Sequence, residues 1–267
     1  MGQQVFIPHS GGGGGGAGSS FLTNMVAGGG AQYVDYGFDG GGGGEAFYTT
    51  QNYSFIVAFR VVQENLDAAQ YPVLTVYDNE TPDVGWNVFV SGTNRICATI
   101  DAQIFTPDVS DMPLGRVFFA ILTHKNTGSS KYYLNGRFMI ENNVVQNVPG
   151  NSISIVVGGG GDPTKDFVEY LGFGYIESQL SDEQVCDMYI ASQDAGRVVI
   201  PDAIVDGAPY VVYNADVGFA DPSLWVPEFN TLLAPSLPAI PNGIATGTVI
   251  TAPFHVAHSG WADVPPN

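Results

Sequence analysis

The chain has 267 residues, of which 45% are hydrophobic and only 13% are charged. Eight Lys and Arg stand against 26 Asp and Glu, so the formal net charge is −18 at pH 7. Such a charge repels phosphate backbones and anionic lipid head groups, which argues against nucleic-acid and membrane partners.

The first 30 residues predict a glycine-rich N-terminal arm, with six consecutive glycines at positions 11–16. Polyglycine loses the most backbone entropy on ordering, so one interpretation is a flexible tail. The other is a segment that packs closely against another chain. Large apolar side chains, which a solvated tail does not need, favour the second interpretation. They are Phe6, Ile7, Phe21 and Leu22.

Residues 31–197 predict a β-rich body. Segment 53–62, YSFIVAFRVV, is rich in aromatic and β-branched residues, so we expect it at the centre of a sheet. Other short strands alternate with turn signals such as Pro-Asp and Ser-Gly, and helical periodicity is almost absent before residue 180. This spacing predicts an all-β, antiparallel two-sheet sandwich. The further strands are expected within 31–50 and at 71–77, 85–90, 95–100 and 116–123.

A β-hairpin is predicted around Asn135-Gly136, which lies between two aromatic and apolar runs. Asn-Gly readily supplies the positive φ angles of a type I′ turn. Two more strands, 152–157 and 170–176, follow the hairpin. Gly172 and Gly174 in the second of them indicate a bend or the close approach of another backbone.

One short helix is predicted near residues 181–192. Ser181 is a good N-cap, and Gln184 stands where it completes a capping box. Leu180 and Val185 occupy the two positions of a hydrophobic staple.

The order of these pieces resembles the laminin-G-like, concanavalin-A-like lectin-fold family. The resemblance covers roughly residues 38–191 and implies a jelly-roll sandwich, of a kind also found in bacteriophage virion proteins. It says little about chemistry. The matching residues are Tyr132, Tyr133, Leu134, Asn135, Gly136, Ile155 to Gly158, Gly174, Tyr175, Ile176, Leu180, Ser181, Glu183, Val185 and Tyr189.

Residues 198–267 predict an extended, proline-rich C-terminal arm. Prolines at this density interrupt sheet pairing and favour extended backbone. Several large apolar residues nevertheless need a surface to bury against, so we expect the arm to cross its own domain and that of a neighbouring copy. These residues include Trp225, Phe229, Phe254 and Trp261.

Neither catalysis nor a cofactor is predicted. The resemblance implies that glycoside hydrolases on this fold would use a strand with the pattern E-x-D-x-E or E-x-D-x-x-E, which the sequence lacks. The G-x-S-x-G of serine hydrolases is absent too. Two cysteines, Cys97 and Cys186, are predicted to be small buried hydrophobes, with a single disulfide as the alternative.

Two binding sites are weighed against simpler interpretations. Asp78, Glu80 and Asp83 share a loop and offer oxygen ligands for calcium, and a solvated turn is the alternative. Trp86, Tyr132 and Tyr133 are candidate aromatic platforms for sugars, and the alternative is that they belong to the core.

Two functional hypotheses follow from the sequence. The first is a non-enzymatic structural protein on the surface of a bacteriophage-like virion, such as a capsid cement or decoration protein. It would assemble through its arms as a homo-oligomer, for example a trimer, beside major capsid proteins. Without a secretory signal or a long apolar run, it is expected to be made in the host cytoplasm. The second is a carbohydrate-binding or host-adhesion module, with glycans as partners.

Overall fold

The computed structural model describes most of the body and short parts of both ends. No helix in the described residues is long and apolar enough to span a membrane. The described residues are 22–26, 33–39, 52–61, 71–78, 85–91, 95–100, 103–105, 113–125, 128–142, 152–158, 168–214, 228–229, 244–246, 248–252 and 260–263.

The first sheet is antiparallel, and the described residues contribute nine strands to it. They are β1 (Leu22–Val26), β3 (Tyr53–Val61), β8 (Val117–Lys125), β9 (Ser129–Leu134), β10 (Arg137–Asn142), β12 (Val168–Ile176), β13 (Tyr210–Asn214), β14 (Glu228–Phe229) and β16 (Thr248–Ala252). Their order is β10-β9-β8-β3-β12-β1-β16, with β13 beside β12 and β14 beside β13. The predicted central position of the YSFIVAFRVV segment is confirmed, because β3 lies between β8 and β12 and is almost wholly buried.

The second sheet is antiparallel, and seven of its strands lie in the described part of the chain. They are β2 (Tyr33–Asp39), β4 (Tyr71–Asp78), β5 (Gly85–Val90), β6 (Ile96–Ile100), β7 (Gln103–Phe105), β11 (Ser152–Gly158) and β15 (Ile244–Thr246). Their order is β15-β2-β11-β4-β5-β6-β7. The prediction of an all-β, two-sheet jelly-roll sandwich is confirmed.

Two apolar layers lie on opposite faces of the first sheet. Successive side chains of a strand point to opposite faces, so Phe55 and Val57 of β3 enter the core between the sheets. Ile56 and Ala58 enter a second core beneath the helices. Both faces of β3 are therefore covered, which explains why the segment is apolar without alternation.

Helix α1 (Asp182–Ala195) covers the outer face of the first sheet, and a single turn, α2 (Asp202–Val205), follows it. The predicted capping box is confirmed, since Ser181 Oγ accepts from Gln184 N and Gln184 Oε1 accepts from Ser181 N. The helix runs three residues beyond the predicted end at 192, because it stops only where Gly196 adopts a φ of 66°.

The described parts of both ends differ from the predicted extended arms. β1 pairs with β16, placing Leu22 opposite Ala252, and β13 pairs with β12 within the first sheet. The predicted body therefore does not end at residue 197. The physical reason is that β13, β15 and β16 contain no proline, so every residue of these strands keeps the backbone N–H that sheet pairing needs.

The predicted arm anchors fall into two groups. Phe229 lies in β14 opposite Val211, and Trp261 is buried in the helix-side core of its own chain. The remaining anchors, apart from Leu22, lie outside the described residues. They are Phe6, Ile7, Phe21, Trp225 and Phe254.

Close backbone approach at Gly172 is confirmed. A Cβ on this residue would lie 2.7 Å from the Tyr213 carbonyl oxygen and 2.5 Å from Asn214 Oδ1. The register of β12 against β3 also shifts between Tyr170 and Gly172. Glycine is therefore needed where β13 and its Asn214 side chain press against β12.

The cysteine prediction is half correct. Cys97 is buried as expected, but Cys186 is exposed, and no disulfide joins the two. Val185, Met188 and Tyr189 form the buried stripe of α1. Cys186 lies outside this stripe, and the sequence did not reveal that only one side of the helix would be covered.

Candidate binding site

The aromatic residues predicted to bind sugars are buried. Trp86 and Tyr132 lie in the core between the sheets, and Tyr133 lies in the helix-side core. The prediction of an exposed platform is therefore wrong for these three residues, and the alternative, that they belong to the core, is correct. Trp86 on β5 faces the core between the two sheets, while Tyr132 and Tyr133 on β9 point to opposite faces of the first sheet, and both of these faces are covered.

An exposed aromatic ring lies close by, at Phe138 on β10. Among the described residues, the large hydrophobic side chains with substantial exposure are Leu114, Phe138, Ile140 and Ile190, and Phe138 is the aromatic one, with 40% exposed. Among the described strands, β10 is the last one of the first sheet.

A turn with two positive φ angles fixes the hairpin that carries Phe138. Asn135 has φ 52° and Gly136 has φ 77°, as the predicted type I′ turn requires. Asn135 does more than turn the chain. Its buried side chain accepts a hydrogen bond from Phe119 N at 2.9 Å and donates one to the Asp263 carbonyl at 3.0 Å.

Tyr133 and Lys131 lie against the Phe138 ring, and both are bonded to Asp182. Tyr133 OH donates to Asp182 Oδ1 at 2.7 Å, and Lys131 Nζ donates to the same oxygen at 3.0 Å. The Tyr133 and Phe138 rings meet edge to face with centroids 5.8 Å apart, and Lys131 Nζ lies 5.7 Å from the Phe138 centroid. We call Lys131, Tyr133, Phe138 and Asp182 the Phe138 patch.

The hydrogen bonds keep Asp182 ionised. The hydrogen bond from Tyr133, followed by that from Lys131, holds the pKa of Asp182 below its usual value, although partial burial opposes this effect. Burial, together with the Asp182 carboxylate, raises the pKa of Tyr133, so its hydroxyl stays protonated and donates. Asp182 is also in the first turn of α1, where a negative charge is stabilised by the helix dipole.

The sequence predicts the hairpin that contributes most of this patch, but it does not predict the patch. Lys131, Tyr133 and Phe138 come from one hairpin, but Asp182 comes from the start of α1. The signal that was available is the Asp182 position directly after a strong N-cap. The contacts that Asp182 makes with Lys131 and Tyr133 of β9 depend on the tertiary fold, so the sequence alone does not show them.

Of the three calcium candidates, the structure describes one. Asp78 ends β4, while Glu80 and Asp83 lie outside the described residues. Within the residues that the structure describes, no cluster of three or more His, Cys, Asp or Glu side chains is arranged to hold a metal ion.

A second polar surface lies on the outer face of the second sheet. Thr75, Asn87 and Thr99 are direct neighbours on β4, β5 and β6 and are partly exposed. Thr75 Oγ1 donates to Asn87 Oδ1 at 3.3 Å. The described part of this row contains no exposed aromatic ring, so the Phe138 patch is the better candidate.

Comparisons with known proteins support the fold. No protein-family model and no curated protein matches the chain. A heptameric SAP-like pentraxin from Limulus polyphemus is similar in structure, with 9% identity, a TM-score of 0.54, and coverage of 90% of this chain and 97% of the pentraxin. At this identity the likeness shows a shared jelly-roll sandwich and no shared chemistry.

Two further solved structures resemble parts of the chain. A Trypanosoma rangeli sialidase in complex with a difluoro-nononic acid has 15% identity and a TM-score of 0.51, with coverage of 66% of this chain and 28% of the sialidase. A botulinum neurotoxin serotype D binding domain has 14% identity and a TM-score of 0.45, with coverage of 74% of this chain and 63% of that domain. The chain thus spans less than two thirds of either protein.

Proposed function

We propose that this chain is a non-catalytic, lectin-like module that binds a carbohydrate at the Phe138 patch. The observation that carries the proposal is an exposed aromatic ring beside a fixed carboxylate and ammonium. A pyranose has an apolar face of C–H groups and an edge of hydroxyls, so the ring and the charged pair complement its two sides.

The patch is organised before a ligand arrives. Tyr133 is buried and holds Asp182, while Lys131 is held between Asp182 and the Phe138 ring. Side chains that are already fixed lose little conformational entropy on binding, which favours affinity from a small contact area.

A glycan array probed with the full chain tests the proposal. Phe138→Ala removes the stacking surface, and the loss of about 1 kcal/mol or more corresponds to at least about fivefold weaker binding. Leu114→Ala is the matched control, because it truncates another apolar side chain, 42% exposed, outside the patch. Absence of binding to every glycan, or equal binding by the Phe138 variant, would refute the proposal.

Display on a virion surface stays a prediction from the sequence, as does assembly into a homo-oligomer with capsid proteins as neighbours. Its original support was the pair of extended arms, and the pairing of β1 with β16 weakens that support. Light scattering on the full chain and on a variant lacking residues 1–20 tests the predicted homo-oligomer. A monomer in both cases would contradict assembly through the arms.

A further inference from the structure

We propose that the Phe138 patch selects carbohydrates that carry protonated amines, such as oligomers of glucosamine, over neutral and acidic sugars. This inference rests on the proposed function and adds the charge of the ligand to it. Its starting point is a difference within the ion pair: 61% of the Asp182 side chain is exposed, against 25% for Lys131. A ligand that approaches from solvent therefore meets the carboxylate first.

The Lys131 ammonium is already engaged on two sides. It donates to Asp182 Oδ1 at 3.0 Å and lies 5.7 Å from the centre of the Phe138 ring. An acidic sugar would have to separate Lys131 from Asp182 and leave the carboxylate facing another negative charge. The pair thus disfavours uronic and sialic acids.

Further carboxylates lie at the rim. Glu141 is exposed and lies opposite Lys131 in the β9–β10 ladder, and Glu183 is exposed directly after Asp182. The formal charge of the whole chain is −18. Salt screens charges beyond about 8 Å, so the charges that matter to a ligand are those on the neighbouring residues of β9, β10 and the start of α1.

A glucosamine unit fits the arrangement in charge and shape. Its C–H face would stack on Phe138 while its ammonium donates to the Asp182 carboxylate in a charge-assisted hydrogen bond. Asp182 Oδ1 already accepts from Tyr133 and Lys131, so Oδ2 is the oxygen assigned to the ligand. N-acetylation removes the ammonium and keeps the sugar ring, which separates the two contributions.

The test is calorimetric titration of the full chain in mildly acidic buffer that keeps the amines protonated. The probes are tetramers of glucosamine, N-acetylglucosamine and galacturonic acid, and tetralysine. Asp182→Asn keeps the Oδ1 acceptor and removes the charge. Asp187→Asn is the matched control, because it makes the same change on an exposed residue of the same helix outside the patch.

We expect the glucosamine tetramer to bind about tenfold tighter than its acetylated form, with Asp182→Asn abolishing that preference and Asp187→Asn preserving it. Equal or tighter binding of the acetylated tetramer would overturn this inference and leave the proposed function intact. Tetralysine binding as tightly as the glucosamine tetramer would also overturn it, since the sugar ring would then contribute nothing. Failure of all sugars to bind would overturn both proposals.

Discussion

His124 is predicted to make the fold sensitive to acid. The imidazole is buried at the end of β8, stacked on Tyr53 with centroids 4.8 Å apart, and Nδ1 lies 2.8 Å from Ser130 Oγ. The Trp86 ring lies 6.5 Å away on centroids. An imidazolium in this aromatic environment would lose its hydration, so burial lowers the pKa of His124 from 6.5 to about 4.

The direction of the effect follows from proton linkage. Below pH 6.5 the unfolded chain binds a proton at His124, while the folded chain does not bind it until the pH approaches about 4. Acid therefore favours the unfolded state in this window, by up to about 1.4 kcal/mol per pH unit. Between pH 6.5 and pH 4 the folded state loses at most roughly 3 kcal/mol of its free energy of unfolding through His124. Solvent that reaches the ring makes this loss smaller.

The assay compares free energies of unfolding at several values between pH 7 and pH 4 by urea denaturation. His124→Gln retains hydrogen-bonding groups, His124→Phe retains ring stacking, and neither titrates in this window. The stability of the natural chain relative to both variants should fall as the pH is lowered. Carboxylates and the other histidines, His9, His255 and His258, contribute to every protein and cancel in the difference. Parallel pH profiles for all three proteins would refute the reasoning.

Two further predictions concern packing, one where β12 meets β13 and one at the turn of the hairpin that carries Phe138. Gly172→Ala should destabilise the chain by about 2 kcal/mol or more, because a methyl group there meets backbone and side-chain oxygens of β13 at under 3 Å. Urea denaturation measures this loss. A smaller loss would mean that β13 moves away easily. Asn135→Ala should cost about 2 to 3 kcal/mol, because the buried Phe119 N–H and the Asp263 carbonyl each lose a partner. Hydrogen exchange should then show faster exchange at Phe119 specifically, and an unchanged rate would contradict this account.

The local elements of the fold were predictable because their signals are short. The Asn135-Gly136 turn and the Ser181 capping box each depend on backbone preferences within four residues. The central position of β3 was also predictable, because a strand that is apolar on both faces is only stable between two covered faces.

The binding site was not predictable, because exposure depends on which strand ends the sheet. Tyr133 and Phe138 are both aromatic residues of one hairpin, yet α1 covers the first and leaves the second 40% exposed. No local pattern distinguishes them. The pairing of β1 with β16 was not predictable either, because the two strands lie near opposite ends of the chain and no local pattern links them.

The C-terminal residues 260–263 connect the helix, the first sheet and the hairpin that carries Phe138. Ala262 N donates to the Val117 carbonyl at 2.8 Å, and Tyr189 OH of α1 donates to the Ala262 carbonyl at 2.5 Å. The Asp263 carbonyl, one residue further on, accepts from Asn135 in the hairpin turn. A Cβ at Gly136 would lie 2.9 Å from the Tyr189 ring, so the turn also rests directly on α1. The hairpin and α1 are thus fixed to the same core. This shared attachment holds the hairpin that carries Phe138 against the helix that begins at Asp182, as a preorganised binding patch requires.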